Sequence, residues 1–289
     1  MNYILLTISI FFETLKNGYV NYFGKKLFVT TKDTLLFNIV SGVGAIIFFV
    51  FSANVFEVSA YSLAMAAIFS LISAGAFYFS LMSLATGPMS ASTLLVYMGS
   101  MVIPAVFGTL YYKQPVTELK IVGVVLMALS LVLSLNMKKD KQMSGRWYFY
   151  SAASFVFWGL VGIVQQIHQN SDYAGEINEF LFWSFVMMTT FFVVLYFVMG
   201  NRENTKDGYA LKSKTSVLVM ASGVLIAVVY KINLYLSGAM NPMVFFPIVN
   251  GGVLLLSSLA ALVIFKEQLT VKQKIGMIFG IVSVCLLGI

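Results

Sequence analysis

The 289-residue sequence predicts an all-α membrane protein of ten transmembrane helices in two inverted five-helix repeats. Three observations carry that prediction. Ten stretches of about twenty mostly apolar residues run almost end to end, and a helix rising ~1.5 Å per residue needs about twenty residues to cross the ~30 Å hydrocarbon layer. The composition leaves no place for an ordinary soluble domain, with 60% hydrophobic residues, 10% charged residues and a mean hydropathy of +0.90. Finally, Gly99, Lys113, Thr117, Gly123, Ser130 and Leu133 return as Gly252, Lys266, Thr270, Gly276, Ser283 and Leu286, each 153 positions later. An odd number of helices per half forces the halves into opposite orientations, as in many secondary transporters whose site lies near the midplane between repeats.

The first segment, Tyr3 to Phe23, lacks the basic start and small-residue cleavage site of a signal peptide, so it is expected to be a retained transmembrane helix. Thr34 to Ala53 and Ala60 to Ala85 follow. Gly87-Pro88 then interrupts the apolar run, because proline disfavours helix in the residue before it. Behind this turn come Met89 to Tyr111 and Leu119 to Asn136, which complete the first unit, residues 1–141. The second unit, residues 142–289, runs through Trp147 to His168, Phe180 to Met199 and Ser216 to Ala239. Asn241-Pro242 makes the equivalent turn, and Pro242 to Phe265 and Val271 to Ile289 close the chain.

Orientation follows from Lys and Arg in short loops. The loops after helices one, five, seven and nine hold Lys25, Lys26, Lys32, Lys138, Lys139, Lys141, Arg146, Arg202, Lys206, Lys212, Lys214, Lys266, Lys272 and Lys274. The opposite loops hold only Lys113 and Lys120. This count predicts cytoplasmic basic loops and both termini outside. The formal charge of +7 is therefore spread along a membrane surface, which suits lipid headgroups and topology better than nucleic acid. Cys285 is the single cysteine, so neither an intrachain disulfide nor a thiolate metal cluster can form.

The turn Lys266-Glu267-Gln268-Leu269-Thr270 before a Gly-rich last helix, the pair Trp158-Gly159 and the five-plus-five layout resemble the EamA-type branch of the drug/metabolite transporter superfamily. In the first half Gln114 stands where that turn usually has Glu, and Glu13 lies about where Trp-Gly would. The lone Glu13 in a short first helix is similar to the small multidrug resistance proteins of the same superfamily, with Phe12 before it in place of a small residue. The resemblance implies helices four and nine lining a central cavity, with Glu13 alternating between proton and cation. It also implies cytoplasmic termini, opposite to the charge count.

Ten of the eleven acidic residues lie in loops or at helix ends, and Glu13 alone sits mid-membrane. An ionisable group there costs at least ~2.5 kcal/mol on insertion scales and usually faces a cavity or a partner. Lys16 and Asn17, three and four residues on, share its face. Glu13 is thus either a binding site for a proton or cation, or half of an ion pair with Lys16 that makes the helix insertable. Lys231, six to eight residues before the end of helix eight, is about 9 to 12 Å deep, further than a Lys stem comfortably reaches. It is expected to face the cavity, holding a substrate carboxylate or pairing with Glu13. Tyr97 and Asn250 hold nearly equivalent places beside Gly99 and Gly251-Gly252, either walling a cavity or packing helices. Gln165, with Gln166 and His168, lines a vestibule or marks the interface. Trp158 joins the expected binding residues. Gly276 and Gly280 form a Gly-x-x-x-Gly for close packing within the chain.

No Gly-rich Lys-Ser/Thr loop is present to hold ATP phosphates. His, Cys and acids show no metal-ligand spacing, and the single histidine sits at a helix end, away from any Ser or Cys nucleophile. No enzyme, cofactor, metal or nucleic acid is therefore expected. The expected partners are a small-molecule solute, protons and the lipid bilayer, for a monomer in a bacterial plasma membrane. Together these features predict a secondary transporter of a small polar or zwitterionic, amino-acid-like metabolite. Glu13 would take the proton or ammonium group, and Lys231 with Lys16 the anion. The alternatives are an exporter of lipophilic cations, for which Lys16 and Lys231 should lie away from the cavity, and a non-transporting scaffold or receptor.

Overall fold

A computed structural model describes residues 1–27, 31–52, 55–134, 144–200, 213–263 and 270–287. It is all helical in its regular structure. The first half holds α1 (Asn2–Leu27), α2 (Thr31–Ser52), α3 (Ala60–Thr86), α4 (Met89–Tyr111) and α5 (Glu118–Ser134). The second holds α6 (Gly145–Gln169), α7 (Ile177–Gly200), α8 (Ser213–Ala239), α9 (Pro242–Val263) and α10 (Val271–Leu287). The Lys266 to Leu269 turn, the boundary at residue 141 and the basic residues 138, 139, 141, 202, 206 and 212 lie outside the described residues.

Local chemistry sets the helix starts. Ser59 Oγ accepts from the Ser62 N–H at 3.1 Å, and Ser144 Oγ from the Trp147 N–H at 3.1 Å, which satisfies donors that a helix start leaves open. Asn241 Oδ1 accepts from the Met243 N–H at 2.9 Å, ahead of Pro242 in the first helical position. At the α3–α4 turn a side chain on Gly87 would run into the Trp147 ring.

Over the described residues, seven of the ten helices are long and apolar enough to cross a membrane. The described parts of α1, α5 and α10 do not meet that measure. In α1, 26 residues long, Glu13 and Lys16 interrupt the apolar run near its middle. Of α5 and α10, 17 residues each are described, about 26 Å of helix.

Helices α1, α3, α4, α6, α8 and α9 ring the centre. Around them α6 packs on α3 and α4, while α1 packs on α8 and α9. Helix α2 packs on α7 and α8 at one flank, and α5 packs on α10 at the other. The first flank holds the largest apolar core, with Phe49, Phe69, Phe180, Leu181, Phe185 and Leu234 all buried. There α2 and α8 cross backbone to backbone. A Cβ on Gly44 would overlap the Met220 carbonyl, and one on Gly223 the Ser41 carbonyl. At the second flank, Ser130 Oγ donates to the Gly276 carbonyl at 2.7 Å and Ser283 Oγ to the Gly123 carbonyl at 2.6 Å. Position 130 meets 276 and 123 meets 283, so α5 and α10 run antiparallel. Gly280 is closed over by Leu255 and Ser130 of the same chain.

Candidate functional site

A cavity of about 330 Å³ occupies the centre of the six-helix ring. Helix α4 presents Ser92, Thr93, Val96, Tyr97 and Ser100 to it, and α9 presents Phe245, Phe246, Val249, Asn250 and Val253. Each set follows the spacing of one helical face. The two sets are also the same positions 153 residues apart, and so are Ser80 of α3 and Asn233 of α8, which face the cavity too. The geometry is shared and the chemistry is not. Three hydroxyls and a phenol line the α4 wall, whereas the α9 wall is apolar except for Asn250.

Buried and part-buried hydrogen bonds hold these walls. Ser100 Oγ donates to Asn250 Oδ1 at 3.0 Å, and Asn250 Nδ2 donates to the Phe246 carbonyl at 2.9 Å. Pro104, inside α4, has no N–H to give the Ser100 carbonyl four residues back, and Asn250 Nδ2 lies 3.5 Å from that oxygen. Ser9 of α1 donates to Asn233 Oδ1 at 2.5 Å. Trp158 Nε1 donates to Ser80 Oγ at 2.8 Å, and Trp147 Nε1 to Ser92 Oγ at 3.0 Å. Ser80 also bonds Ser154 at 2.7 Å, and Ser83 bonds Ser92 at 2.7 Å and Ser151 at 2.6 Å, tying α3, α4 and α6 into one polar seam.

Among the described residues that line the cavity, Glu13 of α1 is the one carboxylate, and none is Lys, Arg or His. Its Oε1 is paired with Lys16 Nζ. Asn17, Tyr97, Gln165 and Tyr230 also line the cavity, and none of their side-chain polar groups bonds a described residue. Gln165 is only 7% exposed, and a buried amide normally has a partner. These groups are therefore available to a bound solute or water.

Of the residues singled out from the sequence, Glu13, Asn17, Tyr97, Trp158, Gln165 and Asn250 line this one cavity. Lys16 and Lys231 are not among the lining residues. Helix phase explains Lys231. Successive residues turn about 100°, so a face that presents Tyr230 and Asn233 points residue 231 roughly 130° away. Ser80, Ser92, Thr93, Ser100, Tyr230 and Asn233 were not among the residues singled out from the sequence. The helical face of Tyr97, followed along α4, would have found three of them, Ser92, Thr93 and Ser100.

The lining extends to Leu84 and Ser92 beside the α3–α4 turn, and side-chain bonds cross the opposite, closely packed end of the bundle. There Gln166 Nε2 donates to the Pro104 carbonyl at 2.8 Å, and a Cβ on Gly108 would collide with Gln166 and Pro242. Asn2 Nδ2 donates to the Ala239 carbonyl at 3.1 Å, and Asn241 Nδ2 to that of Pro115 at 3.2 Å. At the same end Glu176 accepts from Ser59 Oγ at 2.7 Å and from the Ser59 N–H at 3.2 Å, and Ser62 Oγ lies 3.0 Å from His168 Nε2. Desolvation pushes the Glu176 carboxyl up, but hydrogen bonds from Ser59 and Ser62 outweigh it and hold the group below its ordinary range. His168 thus packs in this closed end, outside the cavity lining.

No family model matches the sequence, and no curated protein matches it. Among solved structures 28 chains match, so the arrangement is one that other chains adopt. One of them, a crystal structure of a protein, is similar with a TM-score of 0.73 at 11% identity, over 99% of this chain and 98% of that one. The likeness is one of fold along the whole length.

Proposed function

We propose that the protein is a secondary transporter that moves a small amine-bearing, amino-acid-like solute across a bacterial plasma membrane by alternating access between two inverted five-helix repeats. The observation that carries this reading is the central cavity, whose walls are the same positions of the two halves and whose single carboxylate among the described residues belongs to Glu13. The antiparallel α5–α10 contact, with Ser and Gly positions 153 apart exchanging equivalent bonds, supports the inverted relation. So does the resemblance to EamA-type transporters.

Glu13 takes the ammonium group. The carboxylate of a zwitterion is met by the neutral donors of Asn17, Gln165 and Tyr97, and its apolar part lies on the α9 wall. With the basic loops in the cytoplasm, the cavity opens inward and the Gln166–Pro104 end is the closed outer gate. One observation favours a second reading, export of lipophilic cations. Neither Lys16 nor Lys231 lines the cavity, and Tyr97, Trp158, Tyr230, Phe245 and Phe246 offer the aromatic faces that attract cations.

Flux of radiolabelled phenylalanine, tetraethylammonium and glucose into proteoliposomes of purified protein separates these readings. Phenylalanine flux abolished by Glu13→Gln supports the first reading, and tetraethylammonium flux so abolished supports the second. Flux of either that survives Glu13→Gln removes the role of Glu13. Wild-type protein silent towards all three refutes transport of this kind.

A further inference from the structure

We propose that Lys16 is a tethered stand-in for the substrate's cation, occupying Glu13 in the empty carrier and displaced from it on binding. The inference rests on the transport reading above and adds what lets the unloaded protein turn around.

The geometry points to a competitor rather than a second binding group. Glu13 lines the cavity and Lys16 does not, yet the Lys16 ammonium reaches the Glu13 carboxylate. Residues 13 and 16 lie about 60° apart on the helix, so Lys16 enters from the flank, one turn along, and leaves the cavity volume free. Both side chains are largely enclosed, at 22% and 17% exposure for Glu13 and Lys16. The pair uses one carboxylate oxygen, and Oε2 has no partner among the described residues. An incoming ammonium group can therefore bind Oε2 before Lys16 leaves Oε1, and Glu13 is never left bare. Asn17, one residue beyond Lys16, adds at the same spot an amide with no partner among the described residues.

The consequence is a mode of coupling. Changing the open side passes through a state with the cavity shut on both sides, and an uncompensated carboxylate is strongly disfavoured there. A carrier with Glu13 alone would have to bring a proton or another cation back on its return. Here Lys16 supplies the counterion internally, so the empty carrier returns with Glu13 neutralised and no obligatory counter-ion. The loaded carrier holds the substrate cation on Glu13 and the released Lys16 charge besides. Each turnover of a monovalent cation thus moves one net positive charge without proton exchange.

The experiment uses full-length protein in liposomes, with tetraethylammonium as the probe because it carries a fixed charge and no proton, and phenylalanine beside it. Net uptake into a substrate-free lumen is compared with counterflow against preloaded substrate. For Lys16→Met the expected result is a KM at least tenfold lower, net uptake reduced at least tenfold, and persisting counterflow. Lys16→Arg should restore net uptake. Wild-type tetraethylammonium uptake should respond to membrane potential and leave lumenal pH unchanged.

Net uptake and counterflow that fall together in Lys16→Met, or that both stay as in wild type, overturn the inference. So does a lumenal pH change linked to tetraethylammonium flux in the wild type, a measurement that does not depend on a variant folding. Wild-type protein that moves neither probe overturns the transport reading itself, and this inference with it.

Discussion

Replacing Gly223 by alanine tests the central packing of the fold with a single methyl group. Its Cβ would overlap the Ser41 carbonyl on α2, and the second Gly of the crossing, Gly44, faces the Met220 carbonyl in the same way. Both obstacles are backbone, so no rotamer change relieves them and the helices must move apart. Over-packing of this kind costs about 1–3 kcal/mol. At about 2–4 °C of Tm per kcal/mol for chains of this order of size, Gly223→Ala should melt some 2–12 °C below wild type. Gly18→Ala is the matched control, since nothing lies within 4 Å of a Cβ there. Fluorescence-detected gel filtration after a heating series, in one detergent for all proteins, measures the shift. If Gly223→Ala and Gly18→Ala melt together, the backbone-to-backbone crossing is wrong, and with it the placement of Tyr230 and Asn233 seven and ten residues along α8.

Ser130→Ala and Ser283→Ala each remove one buried hydrogen bond to a glycine carbonyl, worth about 1 kcal/mol, so thermal melts should show similar losses for the two. The chain has three tryptophans, and Trp158 lines the cavity, so quenching of intrinsic fluorescence by a bound solute should vanish in Trp158→Phe and survive in Trp183→Phe. The Glu176 carboxyl is held below its ordinary range. Its stabilisation is therefore present above the unfolded value of about 4.3 and lost as pH falls through the folded value. Melting wild type and Glu176→Gln from pH ~6 down to ~3 should show a gap that narrows with acid. Asn250→Leu removes the acceptor of Ser100 Oγ, and flux should drop while gel-filtration behaviour stays that of wild type.

Punctuation made much of the fold legible in the sequence. Gly87-Pro88 and Asn241-Pro242 placed the starts of α4 and α9, and α4 runs from Met89 to Tyr111 as expected, because proline and glycine act on their own backbone whatever the surroundings. The first helix runs to Leu27, four residues past the expected end at Phe23, because Gly24, Lys25 and Lys26 lower the hydropathy without ending the helix. At the site, the rarity of a mid-helix carboxylate pointed to Glu13, and the repeat offset to Tyr97 and Asn250. Tyr97 and Asn250 were the one unlike pair taken from the offset, whereas the cavity also pairs Ser92 with Phe245 and Ser80 with Asn233, matched in place and different in kind. Lys231 shows the complementary limit. Depth along a helix follows from counting residues, but direction depends on which face the neighbours bury, and Tyr230 and Asn233 set that phase.

The α5–α10 seam has one more consequence. Exchanging the two halves maps this contact onto itself, Ser130 onto Ser283 and Gly276 onto Gly123. In a carrier that works by such an exchange, the seam has the same energy before and after. It is an axle, neutral between the two sides of the membrane. The choice of resting state then falls to contacts with no partner bond in the other half, such as Gln166 on the Pro104 carbonyl and Trp147 on Ser92. Substitutions there should change how long the carrier dwells on each side, while substitutions in the seam should change only how firmly it holds together.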